Sequence, residues 1–379
     1  MSIVWIVLGW IFAAVFGLLT ASMLLLHNWL HALALFLVVL LCLPPVNSLL
    51  LNRFNFALHP LLRGALIVVL LFVFVRLLTG QKVTSIYASP EAKAQFMALY
   101  DEKMTDWPVP YEDIFLDTEY GVVHVIVSGP EDAPPMLLLH ASGVAGWSWE
   151  FNVAELSEQY RTYAIDLIGD AGKSEFASLD NILQTRQDQA DLYAEITEQL
   201  GVDKAFVVGA SEGGFIGTNY ALYYPERVEK LALLGPMGYA GATESVMRIM
   251  FAQMFPLKTI QEGTFRWAFG DNPQVNNAFG EWFRLFMTES VPKKVAPLPI
   301  PAEERQQLTV PTLFVFGEQD NLVGDPEAAR ALVQDIPDVR VDVVEAGHLM
   351  AAELPEQVDG LILDFFGAET IHATMHHNE

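Results

Sequence analysis

Gly209-Ala-Ser-Glu-Gly213 sets a serine between two glycines, each two residues away, directly after the apolar run 205–208. A turn sharp enough to lift the Ser211 hydroxyl clear of the backbone crowds the positions two before and two after it. Both must then be small, and the G-x-S-x-G spacing meets that demand when it joins a strand to a helix. A serine hydroxyl is a weak nucleophile until a base takes its proton, and the base needs a carboxylate to orient it. Both follow in chain order. Phe314-Val-Phe-Gly-Glu-Gln-Asp320 ends one apolar run with an acid, and Val343-Val-Glu-Ala-Gly-His348 ends the next with a histidine. Ser211, Asp320 and His348 are therefore the candidate nucleophile, orienting acid and base of acyl transfer.

Each later residue has competitors. Glu318 and Asp325 flank Asp320, but Asp320 sits better at the end of its turn; the alternative place for an acid, after the previous strand, holds Gly235-Pro-Met-Gly238. Of nine histidines, His27, His31 and His59 lie in the apolar N-terminal part, His372, His376 and His377 in a polar tail, and His124 in mid-strand. His140, at the end of the first parallel strand, is read as organising a loop by hydrogen bonds or as lining the substrate site. A tetrahedral intermediate needs two donors at its oxyanion. The amide of Glu212 is one candidate, and the second comes from the loop after His140, from Ala141 or Ser142, with Ser142 favoured. Trp147, Phe251 and Trp282 join His140 as candidate substrate-lining residues, against the alternative that they only pack the core.

These residues require a scaffold that brings distant strand ends together. Short apolar runs at 136–139, 162–165, 205–208, 231–234, 312–316 and 339–344 alternate with helical stretches, the pattern of a mostly parallel sheet with helices on both faces. In such sheets reactive groups gather outside the carboxyl ends of the strands. Runs at 114–116 and 122–127, with Gly121 between them, predict an antiparallel hairpin ahead of the parallel part. Leu192, Ile196 and Leu200 mark one amphipathic helix, and Val358, Leu361, Ile362, Phe365 and Phe366 the last. About 75 residues without a strand separate 234 from 312, too long for a loop, which predicts an inserted helical cap. The expected division is 81–111 connector, 112–239 and 306–367 core, 240–305 cap and 368–379 polar tail.

From Ile114 to Gly367 the chain resembles the α/β-hydrolase superfamily, in particular its serine carboxylesterase and lipase-like members with a cap. The resemblance is carried by His140-Ala-Ser-Gly143, Asp166-Leu-Ile-Gly-Asp-Ala-Gly-Lys-Ser174, Gly209-Ala-Ser-Glu-Gly-Gly214, Gly317-Glu-Gln-Asp320 and Gly347-His348. It implies an α/β-hydrolase fold and hydrolysis of a small-molecule or lipid-like ester through an acyl-enzyme. Ala141 departs from the glycine usual after that histidine. A serine at the elbow argues against the haloalkane dehalogenase and epoxide hydrolase branches, which use aspartate there. Acyltransferase, thioesterase, C–C hydrolase or cofactor-free haloperoxidase chemistry would use the same residues. A membrane-tethered binding module without catalysis is the non-enzymatic alternative.

Composition bounds the rest. The 379 residues carry 21 Lys+Arg against 46 Asp+Glu, a net of -25. Residues 1–80 hold three arginines and no acid, so the remaining 299 residues hold 18 basic groups against all 46 acids, a net of -28. Such a domain repels phosphate backbones and excludes nucleic-acid partners. Cys42 is the only cysteine, which excludes an intramolecular disulfide and a thiolate zinc site. The Asp170-Ala-Gly-Lys-Ser174 stretch has Leu167 where a phosphate loop needs its first glycine, and no cofactor or metal is expected. Residues 1–80 read as a membrane anchor: spans at 3–26 and 33–51, and at 56–78 either a third span or an interfacial helix. The expectation is an integral membrane protein in contact with the bilayer, its orientation undetermined by charge.

Overall fold

The structure is a computed structural model and describes residues 85–239, 248–249, 252, 258–270 and 272–367, together with 29–43 and separate positions within 14–20 and 62–70. The chain divides into two compact units, Met1–Val83 and Thr84–Glu379.

In the first unit, helix α1 (Trp29–Cys42) has 14 residues, and Val38 packs among Phe16, Val39, Leu43, Ile67 and Leu70. The helix stops two residues before Pro44, whose ring disfavours helical backbone at Leu43. The expectation of an integral membrane protein is corrected accordingly: among the described residues no helix is long and apolar enough to cross a membrane. Most of the expected spans at 3–26 and 56–78, and the tail 368–379, lie outside the described residues.

The second unit begins with α2 (Pro90–Met104), started by the Ser89 side chain and by Pro90 in the first turn. Ala92, Phe96, Tyr100 and Met104, at fourfold spacing, are its buried face. The stretch expected as a connector is thereby built into the core, because that spacing makes one continuous apolar stripe.

Strands β1 (Tyr111–Asp117), β2 (Gly121–Ser128), β3 (Pro135–Leu139), β4 (Arg161–Ile165) and the short β5 (Glu175–Phe176) come next. Helix α3 (Arg186–Gln199) leads to β6 (Ala205–Ala210), α4 (Glu212–Tyr223) and β7 (Val228–Leu234). Helices α5 (Lys258–Phe269) and α6 (Pro273–Glu289) occupy the insertion. The chain then returns through β8 (Thr312–Gly317), α7 (Pro326–Val333), β9 (Val339–Val344) and α8 (Pro355–Gly367). The sheet order is β1-β2-β4-β3-β6-β7-β8-β9, with β5 on β2. Pairing is antiparallel for β1–β2, β2–β4 and β2–β5, and parallel from β4 onward.

Successive strand side chains point to opposite faces, and the core divides that way. Met136, Leu138, Val208, Leu234 and Val315 face α2, α6 and α8. Leu137, Leu139, Val207, Leu233 and Phe314 face α3 and α4. Burial of each such side chain stabilises by about 1.5–3 kcal/mol. The two layers fix the strand ends on which the site residues stand.

Candidate active site

Ser211 follows β6 and precedes α4, with φ 51° and ψ -108°. It is the only non-glycine residue with positive φ among the described residues. A strained backbone of this kind costs about 1–3 kcal/mol and persists only where the surroundings enforce it. Here they do. Ser211 N–H donates to Leu234 O at 2.9 Å, and Ser211 O accepts from Met237 N–H at 3.0 Å. A Cβ on Gly209 would collide with Gly213 O, and one on Gly213 with Leu139 O and His140 O. The crowding behind the G-x-S-x-G spacing therefore comes partly from the turn and partly from the end of neighbouring β3.

His348 Nδ1 lies 2.7 Å from Asp320 Oδ2. A carboxylate can only accept, so Nδ1 carries a proton, and in the neutral ring Nε2 keeps its lone pair. Asp320 Oδ1 accepts the amides of Leu322 at 2.8 Å and Val323 at 3.0 Å. Burial pushes the Asp320 pKa up, but His348 and these two amides outweigh it and hold the carboxyl below its ordinary value. Asp320 and His348 are 2% and 6% exposed, and Ser211 is 2% exposed. The histidine loop is pinned from behind, since Gly347 N–H donates to Glu353 Oε2 at 3.0 Å. Ser211 makes no side-chain hydrogen bond to His348; Ala210 and Leu234, which flank its backbone, line the same small cavity as His348.

That cavity is also lined by His140, Ala141, Val144, Trp149, Phe279, Leu349 and Met350, a mostly apolar set. Of the expected substrate-lining residues among the described ones, only His140 reaches it. Its ring is fully committed to backbone: Nε2 accepts Leu167 N–H at 2.9 Å and Nδ1 donates to Ala141 O at 2.8 Å. Trp147 and Trp282 are corrected to core residues. They stack edge-on with centroids 5.3 Å apart, Trp282 meeting Phe96 and Trp147 meeting Phe279, and both are fully buried. Phe251 lies outside the described residues.

The amides of Glu212, Ala141 and Ser142 donate no hydrogen bond to other described residues, unusual for N–H groups in so buried a place. Gly143 N–H, by contrast, is taken by Asp170 Oδ2 at 2.8 Å. The Ser142 hydroxyl accepts from Lys294 Nζ at 2.6 Å, so this side chain is held by a lysine that sequence reasoning missed. No local motif announces Lys294. Asp170 stood in the Asp166–Ser174 stretch, which carried the family resemblance and was weighed as a phosphate loop, but with no role of its own. Also missed was a buried cluster around His124, whose Nδ1 is 3.0 Å from Asp166 Oδ2 and whose Nε2 is 2.6 Å from Asp113 Oδ1. Among the described residues no group of three or more His, Cys, Asp or Glu side chains could hold a metal ion.

A profile of the alpha/beta hydrolase fold matches residues 134–267. The chain is 31% identical over 289 residues to the Bacillus subtilis (strain 168) carboxylesterase nap, covering 73% of this chain and 93% of that one. It is 30% identical over 289 residues to carboxylesterase YbfK of the same organism, covering 74% and 96%. The crystal structure of naproxen esterase from Bacillus subtilis superposes with a TM-score of 0.69 at 29% identity, over 73% of this chain and 99% of that one. The chain belongs to the α/β-hydrolase family. Within it, the protein is a carboxylesterase-like serine hydrolase.

Proposed function

We propose that this protein hydrolyses carboxylic esters with apolar acyl or aromatic groups through an acyl-enzyme on Ser211. The reading is carried by the His348–Asp320 pair, 2.7 Å apart, which follows β9 and β8 in the same sheet whose strand β6 leads to a serine held at positive φ. Relatives named as carboxylesterases and a naproxen esterase support the ester class. The apolar cavity wall of Val144, Trp149, Leu234, Phe279 and Leu349 supports an apolar substrate.

Ser211 Oγ attacks the ester carbonyl while His348 Nε2 takes its proton, and Asp320 stabilises the imidazolium that forms. The negative oxygen of the tetrahedral intermediate sits between the Glu212 and Ser142 amides. On collapse the C–O bond to the alcohol breaks, and His348 returns the proton to the leaving oxygen. Water then attacks the acyl carbon, giving its proton to His348, and the acid leaves as Ser211 recovers its hydrogen. The chain supplies every proton transfer.

Labelling with a fluorophosphonate and turnover of p-nitrophenyl esters of increasing acyl length test this. Wild type is expected to label and turn over, and Ser211→Ala to do neither, with kcat lower by about 10⁴–10⁶. Equal turnover by Ser211→Ala would remove the serine from the mechanism.

A further inference from the structure

The cap returns to the core through residues 290–300, and this strand-like stretch carries the lysine at the centre of a buried polar cluster. Val291 N–H donates to Ile86 O, and Lys293 N–H donates to Gly169 O at 2.9 Å. The next residue, Lys294, has its side chain 18% exposed. Its ammonium group has three N–H bonds, and it meets three acceptors. These are Ser142 Oγ at 2.6 Å, Asp170 Oδ2 at 2.6 Å and Glu212 Oε2 at 2.5 Å.

The acceptors come from two loops and the start of α4. Ser142 is in the loop after β3, Asp170 in the loop after β4, and Glu212 is the residue next to Ser211. Asp170 extends the cluster, because its Oδ2 also takes Gly143 N–H at 2.8 Å and its Oδ1 takes Ala171 N–H at 2.8 Å. The loop after β3 is therefore gripped at two consecutive residues, Ser142 through its hydroxyl and Gly143 through its amide. The Phe286 ring of α6 closes over the same glycine, so that a Cβ there would press on it. Burial works to lower the lysine pKa, but Asp170 and Glu212 outweigh it and hold Lys294 charged.

A buried ion cluster is weak grounds for stability, since apolar residues of similar size often fold as well. Its selectivity lies in geometry. An oxyanion hole works only when its two donors keep their spacing within a few tenths of an ångström, and losing one donor costs about 10²–10³ in rate. The two amides in question belong to Ser142 and Glu212, and Lys294 holds the side chains of those same two residues.

Resting on the esterase reading above, we propose that Lys294 is a positioning residue that locks the two halves of the oxyanion hole together, so that the cap's return segment sets the geometry of the hole. The lysine touches neither substrate nor reacting atoms; it acts through Ser142, Glu212 and Asp170.

The test uses the full-length protein and p-nitrophenyl esters. Lys294→Ala is expected to lower kcat by about 10–100-fold with KM changed less than about threefold, as for an interaction expressed only in the transition state. Ethylammonium added to Lys294→Ala should restore kcat saturably, whereas n-propanol, similar in size and neutral, should not. Because removing the lysine leaves two carboxylates facing each other, a charge-neutral triple variant (Lys294→Met, Glu212→Gln, Asp170→Asn) tests the idea if the single variant does not fold. A folded triple variant that stays slow supports positioning. One with wild-type kcat, or a Lys294→Ala protein keeping more than about half of kcat, overturns it and leaves only charge balance. Absence of turnover and labelling in the wild type would instead overturn the esterase reading itself.

Discussion

His348 and His124 are both buried, and both hydrogen-bond to an aspartate through Nδ1, at 2.7 Å and 3.0 Å. They differ at the other nitrogen. His348 Nε2 has no hydrogen-bond partner among the described residues. His124 Nε2 is 2.6 Å from Asp113 Oδ1, so its ring is clamped between two acids. The Tyr100 hydroxyl donates to Asp166 Oδ1 at 3.2 Å, and the Gly146 and Lys173 amides also donate to this carboxylate. Burial lowers the His124 pKa, yet Asp166 and Asp113 more than reverse it and hold the ring above its ordinary value. Asp166 is held below its ordinary value by His124 and the surrounding donors, against the effect of burial. In the proposed mechanism the first histidine passes a proton, whereas the second is held to keep it. The same pair of residue types serves chemistry or cohesion according to whether the second nitrogen is free.

The sharpest way to break this contrast is to remove each histidine in turn. His348→Ala is expected to lower kcat by about 10⁴–10⁶ while the unfolding midpoint in urea stays close to wild type. His124→Leu should do the reverse. It strips Asp166 of its cation deep in the core, at a cost of about 3 kcal/mol in urea unfolding, and the folded fraction should keep kcat within about threefold of wild type. Similar activity losses in both variants would erase the distinction.

The pH dependence of stability adds a second check. A raised folded-state pKa means that the His124 contribution is fully present below about pH 6.5, its unfolded value, and is lost as pH rises through the folded value. Urea unfolding as a function of pH should show this fall in the wild type and not in His124→Leu.

A further effect is expected at Asp359, which has no cation beside it among the described residues. Burial pushes its pKa from 3.8 to about 8, partly opposed by the Asn152 side chain, whose Nδ2 donates to Asp359 Oδ1 at 2.8 Å. The unfolded chain gives up this proton near pH 4 and the folded one only near pH 8, so stability declines between those values. Asp359→Asn keeps an acceptor for Asn152, should be more stable than wild type at pH 8, and should flatten that part of the curve. An unchanged curve would mean that Asp359 is charged and solvated in the folded protein.

Much of this architecture is written locally. Each parallel strand from 136 to 344 was visible as a short apolar run, because a buried parallel strand is apolar on both faces, whereas the two-residue antiparallel β5 was not. Ser211, Asp320 and His348 were visible because each ends such a run, where the fold presents reactive groups. The N-terminal part misled because apolar length alone suggests spans, whereas among the described residues no helix is long and apolar enough to cross a membrane. Trp147 and Trp282 misled because an aromatic side chain reads the same in a core as in a substrate pocket.

By itself the sequence determined the order of strands and helices and the three strand ends that carry Ser211, Asp320 and His348, since these follow from nearest-neighbour sterics and periodic burial. Only the tertiary structure decided which histidine is clamped and which is free, and that Lys294 joins groups 152, 124 and 82 residues away. Charge and hydrogen bonding act over a few ångströms in space, and no spacing along the chain records which distant side chains folding brings within that reach.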